Sequence, residues 1–327
     1  MSQAKKKKTD TRVVEKAAGP KAVDSQPQSR WTRYIIILVV VAIIGIVVGV
    51  FYYQEYIAPR RITVVRVDDV TIRMDYFLKR LKMTPVDPMN MLNSLQQEVV
   101  IRMDVPSIVG EITDEDFDQG LKNIASGGSG DITESEFKEW YRQQLNETGL
   151  SDAEFKEFMS TSLLAVRLQK YLAERVSTVA EQIHVHMIVV ETYDDAMEVR
   201  TRWEEGEDFA DLAREVSLDE NNKENGGDLG WMPPGVDDLV DFAVRDLSIG
   251  EVSQPVTETG TYFYLFMISE RDVARPLEEE DLLIIQSQVL NEWLISRNEF
   301  HEITYHGFNN GFDSETYAWV NWQLSKN

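Results

Sequence analysis

Asn225-Gly226-Gly227-Asp228-Leu229-Gly230-Trp231, read together with His186-Met187-Ile188-Val189 upstream, decides the fold of this chain. Glycine takes backbone conformations that other residues avoid. Gly226 and Gly227 therefore read as backbone requirements, and Asp228 and Trp231 as structural side chains. Outward from this motif the pattern is regular. His184–Val190 reads as a strand. Asp194–Glu205 reads as a helix with Ala196, Val199 and Trp203 on one face, and Asp208–Val216 as a second with Phe209, Leu212, Ala213 and Val216. An acidic loop, Ser217–Glu224, leads into the glycines. Leu239–Leu247 reads as a third short helix, and Gly250-Glu251-Val252 and Thr261–Ile268 as closing strands. This order predicts a small α+β domain over residues 181–272.

The flanking regions differ. Ile62–Val67 reads as a strand with Asp68-Asp69 as its turn, and residues 72–180 read as helical. Thr133 with Glu136 and Ser151 with Glu154 are capping boxes. The second opens a helix whose wide apolar set (Phe155, Phe158, Met159, Leu163, Leu164, Val166, Leu168, Leu172) predicts burial against several neighbours. Gly130 to Glu136 resembles the end of a calcium loop, but Ala125, Gly127 and Ser129 stand where carboxylates are needed, so coordination fails. A long helix follows Pro276 and runs to about Phe300, with Leu282, Ile285, Val289 and Trp293 on one stripe. It needs a partner, and the earlier helical region supplies one. The aromatic tail (Tyr305, Phe308, Phe312, Tyr317, Trp319, Trp322) is expected to pack onto the body.

The chain has 327 residues, enough for two domains, and is 43% hydrophobic. Part of that content is concentrated in the uncharged run Tyr34–Tyr53, whose length matches a hydrocarbon core of about 30 Å. The run ends in Phe51-Tyr52-Tyr53-Gln54-Glu55, a poor cleavage site, so it reads as an uncleaved signal anchor. Residues 1–33 hold nine Lys/Arg against three acids, a net of +6, and are polar enough to be disordered. The positive-inside rule places them in the cytoplasm and residues 55–327 outside. The whole chain carries −23, which leaves −29 beyond the tail. That charge argues against nucleic acid as a partner. There is no cysteine, which excludes disulfides, thiol catalysis and a lipid-modified cysteine anchor.

His186-Met187-Ile188-Val189, Gly206-Glu207-Asp208-Phe209, Leu212-Ala213, Ser217, Gly226 to Trp231, Leu247, Gly250-Glu251-Val252, Pro255-Val256 and Gly260 resemble, in order and spacing, the parvulin (PpiC-like) peptidyl-prolyl cis-trans isomerases. Val64–Arg80 and residues 133–180 more loosely resemble the helical domain of SurA-type and PrsA-type exported foldases, and residues 277–300 fit the helix that returns to it in the SurA type. The resemblance implies an α+β architecture. It comprises a cytoplasmic tail (1–33), a membrane anchor (34–53), a helical chaperone-like domain (55–180), a parvulin domain (181–272), and a C-terminal helix and tail (273–327) packing back on the helical domain. His186 matches the first histidine of the family's buried pair, and Asp219 a position that is cysteine or aspartate. Tyr262 stands where the second histidine should be. Tyrosine can hydrogen-bond but titrates near pH 10. Leu229 matches a wall of the proline pocket, Val240 falls near an aromatic pocket position, and Thr257 and Thr259 match hydroxyl positions. Met232, Phe242 and Phe263 are further apolar candidates for substrate contact.

X–Pro isomerisation faces a barrier of about 18–20 kcal/mol set by amide resonance. Lowering it requires an apolar slot for the ring and a site favouring the twisted amide, without metal or cofactor. Neither is implied here. Ser217 lacks a His/Asp arrangement for serine catalysis. The Glu191–Asp195 loop lacks the arginines that phosphate recognition would use. Two functions follow. One is a membrane-anchored isomerase acting on unfolded or nascent exported polypeptides with X–Pro bonds. The other is a non-enzymatic holdase whose parvulin unit is degenerate.

Overall fold

The computed structural model describes residues 30–326, and the chain divides into two units between Ala58 and Pro59. In the first, α1 (Arg30–Tyr52) runs on through a π-helical turn, Tyr53–Ile57, and α2 (Ala58–Arg61) crosses the division. The helical run Tyr34–Arg61 is long and apolar enough to cross a membrane, with mean hydropathy 3.2 and no part of its apolar window buried. The helix begins at Arg30 rather than Tyr34. The rest of the expected tail, residues 1–29, lies outside the described residues.

The second unit runs β1 (Thr63–Val67), β2 (Val70–Arg73), α3 (Met74–Met83), α4 (Pro88–Asp104), α5 (Pro106–Val109), α6 (Asp114–Ala125), α7 (Glu134–Thr148), α8 (Asp152–Ala173), β3 (Val179–Val190), α9 (Tyr193–Glu204), α10 (Phe209–Val216), β4 (Asp228–Met232), α11 (Asp238–Val244), β5 (Phe263–Pro276), α12 (Glu279–Arg297), β6 (Ile303–Tyr305) and α13 (Ser314–Leu324). The chain is mixed α and β, mostly helical, with two three-stranded sheets among the described residues.

The first sheet has the order β2-β1-β6, with both pairings antiparallel. Its outer strand β6 comes from the C-terminal tail, which the sequence pattern did not reveal. The inner face joins α3, α4, α8 and α12 in one core around Val65, Phe77, Leu92, Leu95, Leu168 and Leu294. Three capping boxes start α6, α7 and α8. The first pairs Thr113 with Asp116, an aspartate that the Glu/Gln form of the rule passes over. In α8 the apolar stripe is narrower than the sequence suggests. Phe155, Leu164 and Leu168 are buried, whereas Val166 is 68% exposed. Arg80 is buried beneath it, bidentate to Glu98 at 2.6 and 2.7 Å, with its guanidinium 4.3 Å from the Phe158 ring centre. In α12, Gln286 donates from Nε2 to the Ala173 carbonyl (3.0 Å), tying that helix to the end of α8. Of the tail aromatics, Phe312 meets Phe77 edge-on at 5.7 Å and Trp319 packs on the core, but Trp322 is 47% exposed.

The second sheet has the order β4-β3-β5, again antiparallel. Successive strand residues point to opposite faces. Ile188, Val190 and Leu265 pack with α9 and α10 around Phe209 and Leu212. Val185, Phe266 and Ile268 pack with α11 around Val240 and Val244. Two expectations need correction. Gly250–Val252 is no strand; Val252 forms an isolated bridge to Met267. The glycine motif, to which the pattern assigned no strand, runs from Gly226 and Gly227 into edge strand β4. β3 and β5 also run longer than the pattern suggested. They stay paired out to Val179 and Pro276, where Leu277 N–H reaches the Thr178 carbonyl at 2.9 Å.

One polar cluster locks the tail to the first sheet. His301 is nearly buried between Asp68 (Nδ1 to Oδ2, 2.8 Å) and Asp104 (Nε2 to Oδ2, 3.2 Å), and Arg297 also holds Asp104. The other Asp68 oxygen accepts from Glu302 N–H at 2.8 Å. The hydrogen bond to Asp68, then that to Asp104, raises His301 above its ordinary 6.5 despite burial. The same contact lowers Asp68 below its ordinary 3.8. A raised histidine contributes stability that is complete below pH 6.5 and lost as pH climbs through its folded value. A lowered carboxyl contributes stability that is lost as pH falls through its own folded value. The urea midpoint of residues 59–327 should therefore decline as pH rises above about 6.5, and His301→Gln should remove most of that decline. Equal declines in both proteins would refute this role for His301.

Candidate active site

The double glycine sets the geometry. Gly227 has φ +77°, and a Cβ placed there would lie 2.3 Å from the Met187 carbonyl oxygen. Met187 N–H donates to the Gly227 carbonyl at 2.8 Å. Gly226, with φ +74°, lies against Ala210 of α10. The loop before the glycines is therefore drawn tightly onto β3 and α10. Leu218 N–H bonds the Val189 carbonyl at 2.8 Å, and the Ser217 hydroxyl accepts from Val189 N–H at 3.2 Å.

This places Asp219 at the rim of an open groove of about 570 Å³, lined by Met187, Glu191, Leu218, Asp219, Tyr262 and Tyr264 among others. The Asp219 carboxylate accepts from Asn221 N–H (3.0 Å) and Asn222 Nδ2 (2.7 Å), so its loop fixes it. Tyr262 is 45% exposed and follows a turn in which Gly260 N–H bonds Thr257 Oγ1 at 2.8 Å. The Thr259 hydroxyl bonds Thr261 Oγ1 at 3.1 Å. Both threonines thus shape the loop before Tyr262. Met187 and Tyr264 also belong to the apolar cluster on the α11 face, with Leu229, Met232 and Val240. The groove floor is continuous with that cluster, although Val240 itself is 2% exposed.

His186 is elsewhere. It pairs in register with Met267, five residues beyond Tyr262, or roughly 16 Å at strand rise. Alternation turns it away from the side of Met187. Its Nδ1–H donates to the Gly226 carbonyl (3.3 Å), and its Nε2 meets the Ser269 hydroxyl (3.1 Å). The carbonyl can only accept, so the neutral ring carries its proton on Nδ1. The structure therefore brings Asp219 and Tyr262 together and leaves His186 outside their groove. Phe263 alternates to the α9 face, where it meets Tyr193 at 5.8 Å. Phe242, two residues on from Val240 and so just over half a helical turn away, is 64% exposed. Neither lines the groove. Met187, Leu218 and Tyr264 were missed as liners. Strand alternation from Tyr262 to Tyr264 was the available signal for one of them.

His186 has a neighbour two residues away on β3, with ring centres 5.3 Å apart. His184 Nε2 bonds Asp228 Oδ1 at 2.8 Å, and Trp231 stacks on the His184 ring at 5.2 Å. Burial pushes the Asp228 carboxyl up, but Gly230 N–H and His184 together hold it below its ordinary value.

The sequence model of the rotamase family, the PPIC-type PPIase domain, matches residues 189–270. The chain is 30% identical over 221 residues to the foldase protein PrsA of Oceanobacillus iheyensis, a match covering 60% of this chain and 70% of that protein. It is 28% identical over 226 residues to PrsA of Clostridium kluyveri, covering 62% of this chain and 65% of the relative. Among solved structures, it is similar to the peptidylprolyl isomerase PrsA of Bacillus cereus, with 20% identity, TM-score 0.40, and coverage of 82% of this chain and 92% of the other.

Two glycine variants test the packing of the motif. Gly230 also has positive φ (+82°) but nothing within 4 Å of an added Cβ. Gly230→Ala should cost about 1–2 kcal/mol, the backbone penalty alone. Gly227→Ala should cost roughly 3 kcal/mol or more, because strand β4 must move off β3. Equal losses in chemical denaturation would show that Gly227 is not a close-approach site.

Proposed function

The chain belongs to the PrsA foldase family, and from that premise we propose that it is a membrane-anchored foldase accelerating X–Pro isomerisation in exported polypeptides. The observation that carries this reading is the groove in which Asp219 and Tyr262 flank an apolar floor formed by Met187 and Tyr264. The proline ring lies on that floor, backed by Leu229, Met232 and Val240. Thr257 and Thr259 hold the turn that presents Tyr262. The barrier of about 18–20 kcal/mol comes from amide conjugation. A surface that accepts the twisted amide better than either planar form lowers it without forming a bond. The Tyr262 hydroxyl can donate to that amide, and the Asp219 carboxylate can accept from a neighbouring substrate N–H. His186 acts as a positioning residue, holding β3 to the Gly226 carbonyl. The acids Glu191 and Asp219 disfavour phosphorylated substrates.

In this proposal residues 34–53 cross the bilayer, with the N-terminus in the cytoplasm and the remaining domains outside. The +6 tail and the unburied apolar helix support that orientation. Residues 181–272 are the isomerase unit. Residues 55–180 and 273–327 form the helical region that holds unfolded chains.

A holdase is the second reading, favoured by Tyr262 in the place of histidine and by a cavity of about 490 Å³ in the helical region. Ile72, Tyr76 and Phe158 line it together with Arg73, Glu98, Arg102 and Glu154, beside the outer edge of β2. A proline-limited refolding assay separates the two. Residues 59–327 should speed the slow phase, Asp219→Ala with Tyr262→Ala should remove at least tenfold of that acceleration, and Tyr262→His should preserve or raise it. Suppressed aggregation with an unchanged slow phase would favour the holdase and contradict the isomerase.

A further inference from the structure

We infer that His184, His186 and Asp228 form a binding site for a divalent transition-metal ion such as zinc. Each side chain offers one ligand atom, and these atoms lie within 4.8 Å of one another. Two strands deliver them. His184 and His186 are two residues apart on β3 and so share a face, with ring centres 5.3 Å apart. Asp228 of β4 pairs in register with His186, at a bulge between Val185 and His186. A His-x-His spacing alone carries little information. It is the third ligand from β4 that completes a set.

His184 binds through Nε2, the atom that meets Asp228 Oδ1 at 2.8 Å. Its other ring nitrogen, Nδ1, is buried without a hydrogen-bond partner. Outer contacts of the kind that orient metal ligands are in place. The Gly226 carbonyl holds the Nδ1–H of His186, so its Nε2 lone pair, which meets the Ser269 hydroxyl at 3.1 Å, can be given up to an ion, and Gly230 N–H holds Asp228 Oδ1 at 2.7 Å. Two imidazoles and one carboxylate suit zinc, copper or nickel and not calcium or magnesium, which prefer oxygen. Tetrahedral ligands at about 2.0–2.1 Å stand about 3.3 Å apart, so the 2.8 Å His184–Asp228 contact must open slightly to admit the ion. Water and the Ser269 hydroxyl are available for the remaining positions. The His184 and Asp228 side chains are 20% and 38% exposed, which leaves a route in. The chain's net charge of −23 raises the local cation concentration.

Competing sites are few. The chain has four histidines and no cysteine. His301 is held by carboxylates on both ring nitrogens, and His306 bonds Thr304 Oγ1 at 2.9 Å. The proposal does not depend on isomerase activity, and its test reads binding alone. Titrate the full chain, free of any affinity tag and in detergent, with zinc chloride by calorimetry near neutral pH. One equivalent should bind with a dissociation constant of about micromolar order and raise the melting temperature, while calcium chloride should do neither. His184→Leu and Asp228→Asn, each checked for native circular dichroism, should weaken zinc binding at least tenfold, and His306→Gln should leave it unchanged. Absence of zinc binding in the wild-type chain, or undiminished binding in the folded His184→Leu and Asp228→Asn variants, would overturn the proposal.

Discussion

Gly227 meets the Met187 carbonyl at a distance that no residue with a Cβ could tolerate, and the organisation of the isomerase unit depends on that contact. It lets the glycine motif lie flat along β3 as strand β4. It pulls the preceding loop back so that Ser217 and Leu218 bond to Val189. Asp219 then has one place to go, the rim above Met187. The same contact sets Asp228 opposite His186 and brings it to His184. A backbone constraint thus fixes one side-chain cluster on each face of β3: the groove with Asp219 and Tyr262, and the paired histidines with their carboxylate.

β3 also connects the unit to the rest of the protein. Its long ladder with β5 continues to the Val179–Pro276 pair, so the two chain passages between the isomerase unit and the helical region leave side by side. Beyond that point α12 packs on α8, β6 completes the first sheet, and α13 contributes Val320 to the core. The C-terminal segment is therefore integral to the helical region. The His301 cluster adds a charged lock to a seam that also holds neutral hydrogen bonds, such as Gln96 Nε2 to Asn298 Oδ1 at 2.7 Å and Gln286 Nε2 to the Ala173 carbonyl at 3.0 Å.

Much of the isomerase unit was legible in the sequence because its signals are local. Helix caps, apolar stripes and the glycine motif each report on a few neighbouring residues, and the α+β pattern and apolar first helix followed from them. What escaped depends on pairing between distant segments. The identity of β4 as an edge strand, the addition of β6 to β1, and the length of the β3–β5 ladder are register facts. The candidate site shows the same division. Asp219 and Tyr262 were found by their places in a pattern. His186 was grouped with them by resemblance, but strand alternation turns it to the other side. Phe242 and Phe263 look suitable by composition, but helical and strand periodicity turns them away from the groove. Val166 looks like core and is exposed, because no neighbour covers that part of α8.

The central claim is that this groove catalyses rotation about the X–Pro bond as well as binding chain. Exchange NMR on a short, unstructured Ala-Pro peptide measures that step without refolding or aggregation. Uncatalysed interconversion takes tens to hundreds of seconds. With substoichiometric residues 59–327, cis and trans signals should exchange much faster than that, and Asp219→Ala with Tyr262→Ala should return them to the uncatalysed rate. Peptide-induced shifts at Met187 and Tyr264 with no change in exchange would contradict the account and leave a binding module in its place.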